Sequence, residues 1–221
     1  MLEVTVSDNK NKGVIMRPLI ALTGYRGCGK NFIYENIFEN WEIQEDGMLP
    51  KTIKFKSFAF ADLLKIYCSN IYGFSIEEIE KYKREDKIFT VGKLKLTMRQ
   101  ILVNTANRMR DIAGTSFWAR LTVDYIDQWV NKNEKDGETI IPIVTDLRFL
   151  QELEFLKVKF NTSIIYIENK CEECQKNLKN KDELEIEDIK KYMNKLEIIL
   201  DCNSNLSKKD IKEIKLRIKK L

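Results

Sequence analysis

From Leu19 onward, short apolar runs alternate with longer stretches in which apolar residues recur every three or four positions. "LIALTG" reads as a buried strand running into a glycine loop, and "KNFIYENIFENW" as a helix with Phe32, Ile33, Asn36, Ile37 and Asn40 at helical spacings. "TIKFKSFA" alternates and is β-branched and aromatic, the mark of a strand. "FADLLKIYCSNIYG" reads as a helix closed by Gly73. Residues 75–96 are charged and mixed, with a short helix near "SIEEIEKYK". Two long helices follow. Thr97 caps the first and Gly114 stops it; Thr115 or Ser116 caps the second, whose apolar stripe reads Trp118, Leu121, Tyr125 and Trp129. "ETIIPIVTDLRF" is a strongly buried strand and "LQELEFLKVK" a helix. "TSIIYIEN" and "KLEIILDCN" are strands around a helix within 181–195, and "LSKKDIKEIKLRIKKL" is a terminal amphipathic helix. Five strands alternating with helices predict a mostly parallel sheet with helices on both faces.

Composition narrows the chemistry. There are 38 basic and 34 acidic residues in 221, too even a balance to announce nucleic-acid binding. Histidine is absent, which excludes Ser-His-Asp and Cys-His catalysis and His-ligated metals. The odd set of five cysteines, Cys28, Cys68, Cys171, Cys174 and Cys202, shows no disulfide framework and fits a reducing, cytoplasmic setting. Cys171 and Cys174 form a lone C-x-x-C without the second pair that a zinc site needs, and their segment reads as lid-like or as a loop entering a helix. No apolar run approaches the roughly 20 residues of a membrane span. Residues 1–17 lack a period and read as a flexible N-terminal arm, leaving 18–221 as one domain.

The first strand ends in "GYRGCGKN". Gly24, Gly29 and Lys30 match a phosphate-binding loop, but Asn31 stands where Ser or Thr is usual. In a strand–loop–helix setting the loop amides and helix dipole attract phosphate, Gly27 and Gly29 allow close backbone approach, and Lys30 reaches the β- and γ-phosphates. The Ser/Thr hydroxyl normally binds Mg²⁺, so Asn31 bears on catalysis rather than on phosphate cradling; an asparagine oxygen can also hold Mg²⁺ or its water.

Four ordered stretches resemble the deoxynucleoside monophosphate kinases of phages and large DNA viruses. They are "GYRGCGKN", "FADLLK" (Phe60 to Lys65), "TMRQIL" with "SFWARL", and "VTDLRFLQELEFLK". The ending "IILDCNSNLSKKDIKEI" is similar too. That family usually has Asp after the loop lysine, to which Asn31 is isosteric. The resemblance implies a three-layer P-loop kinase fold, an acceptor-binding insertion at about 66–115, and phosphorylation of a (deoxy)nucleoside monophosphate with ATP and Mg²⁺. It places Lys30, Arg148 and Arg99 in catalysis. Gly24, Arg26, Gly27, Cys28, Gly29, Lys30, Asn31 and Phe32 would hold the nucleotide. Asp62, Lys65, Arg99, Trp118 and Arg148 would meet the acceptor, and Arg84 could reach it as well. Asn31 would meet the metal, and Asp146, at the end of a buried strand, would hold Mg²⁺ or its water shell or else pair with Arg148. Phe58, Phe60 and Trp118 would line a base pocket or pack the core. The implied partner is a small nucleotide, with no nucleic acid or membrane, and a homodimer is compatible. The Lys-, Ile- and Asn-rich composition hints at an AT-rich, viral source, which would put the protein in host cytoplasm. Rival readings are another small-molecule P-loop kinase, a catalytically silent nucleotide-binding module, and a nucleic-acid binder using the basic terminal helix.

Overall fold

The computed structural model describes residues 16–25, 27–45, 51–169, 185–192, 196–200 and 206–219. Most of the N-terminal arm, Arg26, the Cys171 and Cys174 segment and Cys202 lie outside the described residues. The strands are β1 (Pro18–Thr23), β2 (Ile43–Glu45), β3 (Lys51–Phe58), β4 (Ile88–Val91), β5 (Leu94–Thr97), β6 (Glu138–Leu147), β7 (Asn161–Asn169) and β8 (Leu196–Leu200). The helices are α1 (Lys30–Ile33), which continues as a π-helical turn Tyr34–Phe38, then α2 (Phe60–Tyr72), α3 (Ile76–Tyr82), α4 (Met98–Ala113), α5 (Phe117–Asn133), α6 (Leu150–Lys159), α7 (Glu185–Lys190) and α8 (Lys208–Ile218).

The main sheet has six strands in the order β2-β3-β6-β1-β7-β8, one more than the pattern predicts. β3, β6, β1, β7 and β8 run parallel, and β2 adds antiparallel to the β3 edge. β2 is missed because three residues, "IQE", are too few to show alternation. A separate antiparallel hairpin, β4-β5, fills part of the charged stretch.

Each sheet face has its own core. One gathers Leu19, Ala21, Phe58, Val144 and Ile164 with Val123, Ile126 and Val130 of α5 and Leu153 and Leu156 of α6. The other gathers Ile20, Leu22, Phe55, Ile143 and Ile165 with Ile33, Ile37 and Phe38 and with Ile214 and Ile218 of α8. Alternate residues of β1 therefore face opposite layers, as parallel strands covered on both sides require. A third, smaller core of Cys68, Ile79 and Met98, joined by Leu64, Phe74, Phe89 and Leu102, ties α2, α3, α4 and the hairpin together.

Caps agree with the sequence at α4, where Thr97 Oγ1 accepts from Gln100 N while Gln100 Oε1 accepts from Thr97 N. Ser207 likewise caps α8. At α5, Ser116 holds the cap position but makes no side-chain cap bond. The α5 stripe is met in part. Trp118 is buried and Trp129 packs against the core as expected, but Ala119, Thr122, Val123, Ile126 and Val130 are buried too, whereas Leu121 is 41% exposed and Tyr125 36%. Both stripes have helical spacing, and the aromatic residues outweighed the smaller ones that reach the sheet.

Arg17, assigned by pattern to the arm, is anchored. Its guanidinium pairs with the Glu134 carboxylate and donates to Asn131 Oδ1 at 3.1 Å, and its carbonyl accepts from Asn161 N at 2.9 Å. Among the described residues no helix is long and apolar enough to cross a membrane.

Candidate functional site

At the carboxyl ends of β1 and β6 the chain leaves toward opposite faces: β1 leads into α1 on one layer, β6 into α6 on the other. Such a divergence opens the crevice where open α/β sheets bind ligands. A cleft of about 700 Å³ lies there, lined by Gly27, Gly29, Lys30, Asn31 and Phe32 of the loop and α1, Phe58, Ala61, Asp62 and Lys65 at the β3–α2 junction, Lys83, and Thr145, Asp146 and Arg148 at the end of β6.

The loop's conformation follows from its glycines. Gly24 has φ 140°, and a Cβ there would press on the Ile167 carbonyl oxygen and lie 2.7 Å from Cys28 Sγ, so no larger residue fits. Gly29, with φ 98°, starts α1 from a left-handed conformation. Lys30 is buried. Its ammonium donates to Gly24 O at 2.5 Å, Tyr25 O at 2.9 Å and Cys28 Sγ at 3.4 Å, which uses its three protons within the loop. Asn31 is exposed at the helix start. The loop is also tethered from outside: the Tyr25 hydroxyl donates to the Glu187 carboxylate on α7, and burial, joined by this bond, holds the phenol well above its usual range.

A break in strand alternation positions Asp146. β1 pairs with β6 at Ala21–Val144 and then at Thr23–Leu147, so β6 carries one extra residue. Accordingly Ile143 packs in one layer, yet Leu147, four positions later, packs in the other. The bulge falls at Thr145–Asp146 and re-aims these side chains at the strand's end. Asp146 Oδ1 accepts from Phe60 N at 2.7 Å and Oδ2 from Ala61 N at 3.2 Å, so the carboxylate caps the start of α2. Burial raises its affinity for protons, and the two amides and nearby Arg148 oppose that. Glu152 performs the matching task for α6, its Oε2 accepting from Arg148 N at 2.9 Å and Phe149 N at 3.1 Å. Burial, with the negative Asp146 beside it, pushes the Glu152 carboxyl up to about 8.

On the α2 wall, Lys65 Nζ lies 2.9 Å from Asp62 Oδ1 and 2.9 Å from Glu80 Oε1 of α3, and Glu80 also pairs with Lys83. Burial disfavours both charges, yet the pairing prevails, raising Lys65 and lowering Glu80.

Gly27, Gly29, Lys30, Asn31, Phe32, Asp62, Lys65, Asp146 and Arg148 thus share one cleft. Gly24 and Cys28 support the loop from beneath it. Arg26 lies outside the described residues. Arg99 is not brought here; it is exposed on the first turn of α4. Arg84 is exposed too. Trp118 is a core residue: its indole N–H donates to Ala106 O at 3.1 Å and its ring meets Tyr67 edge-on. Spacing along a helix could not reveal that these groups are not among the residues lining the cleft. Phe60 packs in the core, whereas Phe58 does so and also reaches the cleft. Lys83, Tyr34 and Ser57 line the cleft without having been singled out from the sequence. Lys83 carried no motif and could be found only through the fold.

Asn31 and Asp146 offer oxygen donors to the same cleft, and Asp146 keeps lone pairs beyond the two amides. Mg²⁺ takes few protein ligands and retains waters, so this donor set fits it. Among the described residues no group of three or more His, Cys, Asp or Glu gathers into a denser site.

No protein-family model and no curated protein sequence matches the chain. Solved structures with a match include an unliganded sugar kinase from a Janibacter species, 12% identical, covering 92% of each chain, with a TM-score of 0.37. A likeness of that extent decides neither family nor activity.

Proposed function

We propose that the protein is an ATP-dependent kinase of P-loop type that phosphorylates a (deoxy)nucleoside monophosphate to the diphosphate. One observation carries this reading: the glycine loop with Lys30, the Lys65 wall and Arg148 converge on a single cleft at the point where the β1 and β6 connections diverge. Phosphoryl transfer asks for positioning and charge neutralisation rather than for a histidine base. When bound, ATP would supply the phosphoryl group and Mg²⁺ would offset phosphate charge, with Asn31 and Asp146 as the residues to hold the metal or its waters. Lys30 exchanges its loop carbonyls for phosphate oxygens. Arg148, whose guanidinium has no ion-pair or hydrogen-bond partner among the described residues, provides a planar fork for the transferring or acceptor phosphate. Lys65 holds the acceptor phosphate. Residues 66–115, with their separate small core, serve as the acceptor lobe.

A second reading, a silent nucleotide-binding module, draws on the Lys30 ammonium, all of whose protons are spent on its own loop. ADP release from ATP and Mg²⁺ with a panel of dNMPs and NMPs separates the two. Strong stimulation by one or a few nucleotides is expected. Nucleotide binding without acceptor-dependent turnover establishes the silent module instead, and stimulation only by an unrelated small molecule moves the assignment to another P-loop kinase.

A further inference from the structure

The cleft wall carries a charge arrangement that the loop's chemistry does not require. Lys65 of α2 and Lys83, just past α3, both line the cleft. The Glu80 carboxylate lies between them, Oε1 at 2.9 Å from Lys65 Nζ and Oε2 paired with Lys83 Nζ. Each oxygen faces a different ammonium group. An oxyanion bound by two lysines is held in this way, one oxygen to each cation.

The two acids paired with these lysines differ in how firmly they are held. Asp62 Oδ1 accepts from Lys65 Nζ and Oδ2 from Ala59 N, both at 2.9 Å, so the start of α2 fixes it in place. Glu80 has only the two lysines as partners among the described residues. Its side chain is 36% exposed, against 16% for Lys65. Glu80 can return to water at little cost, because an exposed ion pair contributes little. When Glu80 leaves, Lys65 keeps Asp62, and an incoming anion takes the second place on its ammonium.

We propose that Lys65 and Lys83 form the subsite for the acceptor's phosphate monoester, and that the Glu80 carboxylate is a built-in occupant which the acceptor displaces. The identity of the acceptor rests on the kinase reading above; the exchange itself rests on the geometry of the three side chains. With Asp62 and Glu80 in place the two lysines are neutralised. Once Glu80 swings out, a net positive charge faces the incoming group. A phosphate monoester brings close to two negative charges and three oxygens, against one charge and two oxygens for the carboxylate. Weak monovalent anions gain nothing from the exchange. The carboxylate therefore acts as a threshold that admits a phosphorylated acceptor and turns away lesser anions.

Acceptor kinetics and an anion titration test this separately. Glu80→Gln should lower the acceptor KM roughly two- to fivefold, the scale of an exposed ion pair, without a matching shift in the KM for ATP. Lys83→Met should raise the acceptor KM about tenfold or more, as loss of a charged hydrogen bond does, and Lys83→Arg should restore most of it. An unchanged acceptor KM in both Glu80→Gln and Lys83→Met, with turnover present, overturns the subsite and leaves the kinase reading standing. The titration uses inorganic phosphate and thermal melting in a Lys30→Met background, which removes the loop lysine. Phosphate should raise the melting temperature more when Glu80→Gln is added, and no longer when Lys83→Met is added. Equal shifts in all the variants, or none in any, overturn the proposal even if no acceptor is ever turned over.

Discussion

Lys30 and Gly24 show how differently two neighbours in one loop can matter. Lys30 is buried with its charge satisfied by carbonyls, and the kinase reading asks it to leave them for phosphate. Lys30→Met should cut turnover to roughly a thousandth or less, the scale of losing a preorganised electrostatic contact, while the far-UV spectrum stays native; wild-type turnover would remove the loop from the site. Gly24 makes no polar side-chain contact, yet its Cβ position is filled by Ile167 O and Cys28 Sγ. Gly24→Ala should destabilise the fold by roughly 1–3 kcal/mol, as overpacking does, which urea unfolding would read; an unchanged midpoint would mean that the loop relaxes freely. At Arg148 the fork shape carries the role, so Arg148→Lys should lose about tenfold or more in kcat/KM. Wild-type kinetics in that variant would take Arg148 off the list.

At the scale of elements, the starts of α2 and α6 beside the cleft are held by carboxylates rather than by the usual Ser or Thr caps. Asp146 closes α2 from a neighbouring strand, and Glu152 closes α6 from within. The Glu152 carboxyl titrates near 8, against about 4.3 for an unfolded glutamate. Between these values the folded chain keeps a proton that the unfolded chain has lost, so stability falls as pH rises through that window. Glu152→Gln cannot ionise and still offers an oxygen to the amides. Its melting temperature relative to wild type should therefore improve from pH 5 to about pH 8 and level off above that. A difference independent of pH would show that Glu152 is already ionised in the native protein. The "TDLRFLQE" stretch was legible as chemistry in the sequence, but not in this form. The text shows an Asp and a Glu; only the bulge in β6 and the start of α2 show that each binds a pair of backbone amides.

Across the whole molecule the cores are unequal. The two sheet layers bury long runs of aliphatic and aromatic side chains, while the α3–hairpin–α4 region rests on Cys68, Ile79 and Met98 with partly buried neighbours. Local opening should follow that inequality. Native-state hydrogen exchange should show β4, β5 and α3 opening at lower free energy than β1, β6 and β7, and equal protection would show that the small core is locked to the main one. The same region contributes Lys83 to the cleft wall and Glu80, which pairs with Lys65 and Lys83 of that wall, so its opening would change the wall directly.

By itself the sequence determined the alternation of buried strands and helices, the parallel sheet, the glycine loop at the end of the first strand, and the cap at Thr97. These are local matters: periodicity, backbone freedom at glycine, and a hydroxyl three residues from an amide. Tertiary structure alone decided the rest. It added β2 to an edge, turned α5 so that Val123 and Ile126 rather than Leu121 and Tyr125 meet the sheet, and left Arg99 and Trp118 away from the cleft. It also brought Lys83 beside Lys65 through Glu80. Which face of a helix is covered, and which charges meet across some 15 residues of chain, depends on what packs against them, and no local pattern encodes that.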